Sequence, residues 1–353
     1  MRLYSLNLGV LAHALSHFIE LDPTNHTQAN ALFEFFGPGH ATQTTIDPSG
    51  ILYVKPDRPY EHLADYEALL EWLRNKDEAK FSRIHKGTPL YLMAWLAFDL
   101  DNFEKAVFYM DAAVSEDFDN AREGWKDLPA YKFLTLAEPE FQVARPVLIG
   151  IMETLDIQLS RFNSISGLSP LQRPDFTSRF VAPLLDDKQL RTLLTTFYVF
   201  LLSYQQLMRL LRLRGSGGGS TAPFLSHLFR GALVFETLLK HLYPKNDKGE
   251  DNATIGDIFK ETAAFKTDYT SDFDHLGINA NSIQAILADI ADDMLVTSFR
   301  ATARLRNTTG HNLLWDDVFR DPATFEKLHN QEVNAILYLV GKSFCKLPAV
   351  APE

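Results

Sequence analysis

The feature that most constrains the fold is a long apolar stripe between residues 190 and 211. Its members recur at alternating steps of three and four along the chain: Leu190, Leu194, Phe197, Leu201, Tyr204, Met208 and Leu211. This spacing lines one face of an α-helix, which must be buried against other elements. A second stripe with the same rhythm follows a Gly/Ser run: Leu225, Leu228, Ala232, Phe235, Leu239 and Leu242. The two stripes predict neighbouring amphipathic helices.

Two more long helices are predicted towards the end of the chain. Asn281 resembles an N-cap for a helix that carries Ile283, Ile286, Leu287, Ile290 and Met294. Asp321-Pro322 begins the last one, with proline at the tolerated first position, and this helix runs to about Cys345. Four long helices with short connections predict an antiparallel helical bundle over residues 188–348.

The first half of the chain is expected to be a separate, mostly helical N-terminal domain over residues 1–165. A linker is predicted at 166–187 because Gly167, Pro170, Pro174 and Pro183 interrupt the helical pattern there. Residues 51–55 are the clearest strand candidate. The all-α class is therefore expected for most of the chain.

One segment of the first half resembles a tetratricopeptide helix pair. Ala94, Phe103, Ala106 and Ala113 have offsets similar to the small and aromatic positions of that repeat. Asp101-Asn102 would form the turn between the two helices. The alternative is a plain helical hairpin.

Charge and composition restrict the compartment and the partners. The formal net charge of −11 disfavours a protein that coats nucleic acid with a broad basic face. The longest apolar run, 193–204, is shorter than the roughly 20 residues of a membrane span, so no membrane association is expected. A single cysteine fits a reducing compartment, and the apolar start of the chain is interpreted as a helix, so we expect a cytoplasmic protein.

The short polar stretch 306–311 is the strongest functional signal. Arg306 and His311 are separated by four residues, and Asn307 directly follows the arginine. This arrangement, between two helices of a predicted bundle, resembles the Arg-x(4–6)-His motif of the HEPN superfamily over residues 188–346. Arg304 also fits the motif, with six intervening residues, but Arg306 is favoured because Asn307 adjoins it.

The resemblance implies a metal-independent endoribonuclease that cuts single-stranded RNA, with tRNA loops as one candidate, and requires no cofactor or metal. Arg306, His311 and Asn307 would be the catalytic residues, and Arg304 would support them. Members of this family join their motifs across a homodimer, and bacterial members commonly act as toxins or in antiviral defence, so an antitoxin or other protein partner is also implied. Histidine titrates near neutral pH and arginine keeps its charge, as phosphodiester cleavage requires.

The sequence leaves alternatives open. Glu236 would support the site by pairing with Arg300, Arg304 or Arg306, or would lie on an exposed charged face. Arg306 and His311 would otherwise be structural residues, and the chain would then be a non-catalytic interaction module. His227, His241 and His275 are scattered without metal-ligand spacing, so no metal site is expected.

Overall fold

The structure is a computed structural model, and it describes residues 59–83, 85–137, 145–213, 219–268, 286, 295–309 and 321–342. This part of the chain is predominantly helical and contains no strand, in agreement with the all-α prediction. None of its helices is both long and apolar enough to cross a membrane. The strand predicted at 51–55 lies outside the described residues, as does most of the Gly/Ser run.

The chain forms two compact units that divide between Ile149 and Gly150. The first unit contains these helices: α1 (Pro59–Lys76), α2 (Glu78–Arg83), α3 (Gly87–Asp99), α4 (Phe103–Ala121) and α5 (Pro129–Leu134), with a 3₁₀ turn at Arg122–Asp127. The second unit contains most of α6 (Arg145–Ser166), and then α7 (Arg173–Phe176), α8 (Ala182–Asp186), α9 (Arg191–Leu213), α10 (Ala222–Leu242), α11 (Ile255–Glu261), α12 (Ala263–Asp268), α13 (Leu295–Thr309) and α14 (Pro322–Lys342).

Helices α3 and α4 form the predicted hairpin in the first unit. Ala94, Ala106 and Ala113 are fully buried, which allows the two helices to approach closely. The turn falls at the predicted place: Asp101 adopts a positive φ of 53°, and the side chain of Asn102 accepts a hydrogen bond from the Lys105 backbone N–H at 3.2 Å. A helical hairpin is therefore present, and its resemblance to a tetratricopeptide unit stays a prediction.

Four long helices of the second unit pack together as an up-down-up-down bundle. Contacts join α9 to α10, α10 to α13 and α13 to α14, and α14 also contacts α9 and α10. The direction of neighbours follows from ring pairs. Phe235 meets Phe299, whereas the earlier ring of Phe229 lies against the later Arg306, so α10 and α13 are antiparallel. The side chain of Arg306, at the C-terminal end of α13, is thereby placed beside the middle of α10, between Phe229 and Glu236.

The stretch 166–187, predicted as a linker, is largely helical and belongs to the second unit. Pro174 and Pro183 lie in the first turns of α7 and α8, where proline does not break a helix, and a π-helical turn joins these two helices. Phe176 and Phe180 are fully buried and pack against Phe197 of α9 at 5.9 Å between ring centroids. The structure therefore divides the chain about twenty residues earlier than the proline pattern predicts.

Candidate functional site

Arg306 lies in the last turn of α13 and is held by two residues of α10. Its Nε donates a hydrogen bond to Oε2 of Glu236 at 2.5 Å, and its guanidinium carbon lies 4.9 Å from the centroid of the Phe229 ring. Phe229 and Glu236 are seven residues apart, two helical turns, so they present one face of α10 to Arg306. Position near a helix C-terminus also favours a cation there.

Glu236 is buried between two cations rather than lying on an exposed face. Only 10% of its side chain is accessible, and its second oxygen forms an ion pair with Lys240 Nζ at 2.8 Å, one turn further along α10. The contact with Arg306 is the pairing that sequence reasoning considered for this residue. Because two positive charges share one carboxylate, the cluster of Arg306, Glu236 and Lys240 carries a net charge of about +1.

The guanidinium of Arg306 is only partly used by these contacts. Within the described residues, Nε is the sole nitrogen of Arg306 that donates a hydrogen bond, and 30% of the side chain is accessible. Nη1 and Nη2, which lie on the edge opposite to Nε, are left with their N–H groups. A phosphate is a natural acceptor for that pair of donors.

The other predicted site residues are placed differently. Arg304 is buried, with 7% accessibility, whereas Asn307 is half-buried in the same last turn of α13 as Arg306. Accessibility thus favours Arg306 over Arg304 as the arginine that meets a ligand. His311 lies outside the described residues.

Three of the four bundle helices, α9, α10 and α13, carry more cations than carboxylates, although the chain as a whole is acidic. Three cations each in α9 and α13 and two in α10 make eight, against one carboxylate: Arg191, Arg209, Arg212, Arg230, Lys240, Arg300, Arg304 and Arg306, against Glu236. The acidic residues that give the chain its net charge of −11 therefore lie almost entirely outside these three helices. A local positive potential of this kind attracts phosphates even in an acidic protein.

Sequence reasoning missed a polar cluster inside the bundle. Ser203 of α9 hydrogen-bonds His227 Nδ1 of α10 at 2.9 Å, and His227 Nε2 contacts His329 Nδ1 of α14 at 3.1 Å. Burial lowers the pKa of His227 to about 3, with a smaller contribution from the charge of Arg230, and burial also holds the pKa of His329 well below its usual range. Both rings are therefore neutral at pH 7 and link three helices.

A second buried group of this cluster is Glu332, one turn after His329. Its carboxyl is fully buried and accepts no hydrogen bond from the described part of the chain. Burial raises its pKa well above the ordinary value, because an apolar environment disfavours the charged carboxylate. Gly231 makes this placement possible, because a Cβ atom there would lie 2.5 Å from Glu332 Oε2 and 2.6 Å from the Phe200 ring.

No group of three or more His, Cys, Asp or Glu side chains within the described ranges has the geometry of a metal site. One surface cleft of about 430 Å³ lies in the second unit, between α6 and the start of α7. Its polar lining includes Ser160, Asn163 and the Asp156–Arg173 ion pair, whose Oδ1 and Nε atoms are 3.4 Å apart. None of the predicted site residues lines this cleft.

Comparison of the chain with models of known protein families, with curated proteins and with solved structures gives no match. Fold and site therefore define only a broad class. The protein has two helical units, and the second contains a four-helix bundle in which Arg306, Glu236 and Lys240 form a charged cluster at the end of α13. The resemblance to the HEPN superfamily depends on the motif residues, of which Arg306 and Asn307 lie in the last turn of α13.

Proposed function

We propose that the second unit is a HEPN-like, metal-independent endoribonuclease that cuts single-stranded RNA. The observation that carries the proposal is Arg306, which is partly accessible at the end of α13 and held by Glu236 and Phe229. Its two Nη groups donate to no acceptor in the part of the chain that the structure describes. The basic character of the surrounding helices supports a phosphate-bearing ligand. Single strands are favoured because unpaired nucleotides reach the in-line geometry of the reaction.

The chemistry assigns a task to each motif residue. The 2′-oxygen of a ribose attacks the adjacent phosphorus and loses its proton, while the bond from phosphorus to the 5′-oxygen breaks and that oxygen gains a proton. The products are a 2′,3′-cyclic phosphate and a 5′-hydroxyl. His311 carries protons to or from these oxygens, Arg306 stabilises the charge that develops on the phosphate, and Asn307 orients the phosphate or holds the loop.

The assembly in this proposal is a homodimer in which each copy contributes an Arg306–His311 pair to one composite cleft. The first unit would sense a trigger or hold a partner such as an antitoxin. A role as a toxin or an antiviral effector follows from the same resemblance, with tRNA loops among the candidate substrates.

The test is incubation of the purified chain with end-labelled single-stranded RNA in EDTA. We expect cleavage that survives chelation, leaves cyclic phosphate ends and falls by at least about 100-fold in His311→Ala, the usual scale of general acid–base catalysis. His241→Ala, which changes an exposed histidine at the end of α10, should remain active. An RNA with a 2′-deoxy linkage at the cut position should resist. Absence of cleavage from every RNA tested would reject the nuclease.

A second candidate is a non-catalytic protein-interaction module, and the exposed face of α4 favours it. Phe108 and Phe118 are 64% and 50% exposed on that helix, which also carries the exposed acidic residues Glu104 and Asp119. Exposed aromatic rings beside acidic groups suit a basic partner segment. This candidate would gain if the wild-type chain binds a protein and leaves RNA intact.

A further inference from the structure

The ring of Phe229 is the one contact of Arg306 that the motif gives no reason to expect. Phe229 is half-buried on α10 and its ring lies under the guanidinium, with 4.9 Å between the ring centroid and the guanidinium carbon. A cation over an aromatic face is attracted by the negative face of the ring. The contact also shields one flat side of the guanidinium from water.

The ring and the carboxylate of Glu236 restrict different motions of the same group. A hydrogen bond from Nε alone would allow the guanidinium plane to tilt about the Nε–oxygen line. The attraction between the ring and the guanidinium opposes this motion, because it holds the guanidinium carbon 4.9 Å from the ring centroid. With one edge bonded and one side held near the ring, the Nη groups have fewer directions in which to present their donors.

We infer that Phe229 is a positioning residue for phosphate recognition by Arg306, an inference that rests on the proposed nuclease function. Catalysis by electrostatic stabilisation depends on donors that are already oriented before charge develops. A leucine of similar size would fill the space but would leave the guanidinium free to tilt. The ring therefore affects the transition state more than it affects binding of the RNA chain.

The test compares Phe229→Leu with Phe229→Trp in steady-state cleavage of single-stranded RNA. Loss of the ring should lower kcat about three- to tenfold with little change in KM, on the scale of a partly desolvated cation–π contact. Tryptophan, which has the strongest cation–π face, should keep kcat within about twofold of wild type. Phe103→Leu makes the same change at a half-buried ring of the first unit and should leave kcat unchanged.

A measurement on the free protein separates this inference from the nuclease proposal. In NMR spectra of the wild type, the Arg306 side-chain protons should show an upfield ring-current shift that Phe229→Leu abolishes and that Phe103→Leu retains. If the wild type cuts no RNA but the shift is present, the proposed function fails while the ring contact stands. The inference is overturned if Phe229→Leu leaves either kcat or the Arg306 shift as in the wild type.

Discussion

At the residue scale, Arg306 and Glu236 illustrate how burial changes the meaning of a charge. An exposed ion pair contributes little to stability because water screens it. Glu236 is mostly enclosed and shares its two oxygens between Arg306 and Lys240, so it has little freedom to turn away. The enclosed carboxylate therefore holds the Arg306 guanidinium in one orientation.

This arrangement predicts a split effect of Glu236→Gln on catalysis. The substitution removes the charge-assisted bond to Arg306 and raises the net charge of the cluster, so orientation is lost while attraction for phosphate increases. We expect kcat to fall about tenfold, which corresponds to about 1.4 kcal/mol, with KM unchanged or lower. Steady-state kinetics on single-stranded RNA checks this. Equal kcat values for variant and wild type would show that Glu236 does not position Arg306.

At the element scale, three of the four bundle helices were predictable. The third was predicted to begin at Asn281 and to carry its stripe on residues 283–294, which lie outside the described residues apart from Ile286, and α13 instead includes residues that were predicted to follow it. The polar interior of the bundle was not predictable. The apolar stripes of α9 and α10 and the Asp321-Pro322 start of α14 are local patterns, so sequence spacing alone locates them. The contact of His227 with His329 joins positions 102 residues apart, which no local pattern encodes. A linker was predicted at 166–187 because proline breaks the interior of a helix. Pro174 and Pro183 lie in first turns, where proline is tolerated.

The same limit applies to the candidate site. Arg306, Asn307 and His311 stand out in the sequence because they are close together and match a motif. Phe229 was not predicted to take part in the site, because an aromatic residue beside the apolar stripe of an amphipathic helix is ordinary. Its role emerges only when α10 and α13 are packed against each other.

Gly231 of α10 leaves the space that the buried side chain of Glu332 of α14 occupies. An alanine would raise helix propensity by up to about 1 kcal/mol, but its Cβ would overlap Glu332 Oε2 and the Phe200 ring. Since overpacking a core costs about 1–3 kcal/mol, Gly231→Ala should be destabilising on balance. Gly150→Ala is the matched control, because that helical glycine has nothing within 4 Å of its added Cβ and should become slightly more stable. Urea unfolding followed by circular dichroism distinguishes the two, and equal midpoints would contradict the packing argument.

At the scale of the whole molecule, the buried ionisable groups of the bundle make stability depend on pH in two opposite ways. His227 and His329 have pKa values below the ordinary 6.5, so the stability that they permit is present above that value and is lost as pH falls towards the folded-state values. Glu332 has a pKa above the ordinary 4.5, so its contribution is fully present below pH 4.5 and is lost as pH rises towards its folded value. The free energy of unfolding should therefore pass through a maximum as pH varies, because it falls at low pH through the two histidines and at high pH through Glu332.

Glu332→Gln isolates the alkaline limb of this dependence. Glutamine stays neutral at every pH, so the variant avoids the cost of keeping a buried carboxyl protonated, while both chains share the effects of the two histidines. The unfolding free energy of the variant minus that of the wild type should therefore increase by up to about 1.4 kcal/mol per pH unit from pH 4.5 until the folded pKa is reached. Any fixed cost of burying the amide shifts all points equally and leaves the slope unaltered. Urea unfolding of both full-length chains at pH 5, 6 and 7 measures the slope, and a difference that stays constant would mean that Glu332 is not held neutral inside the bundle.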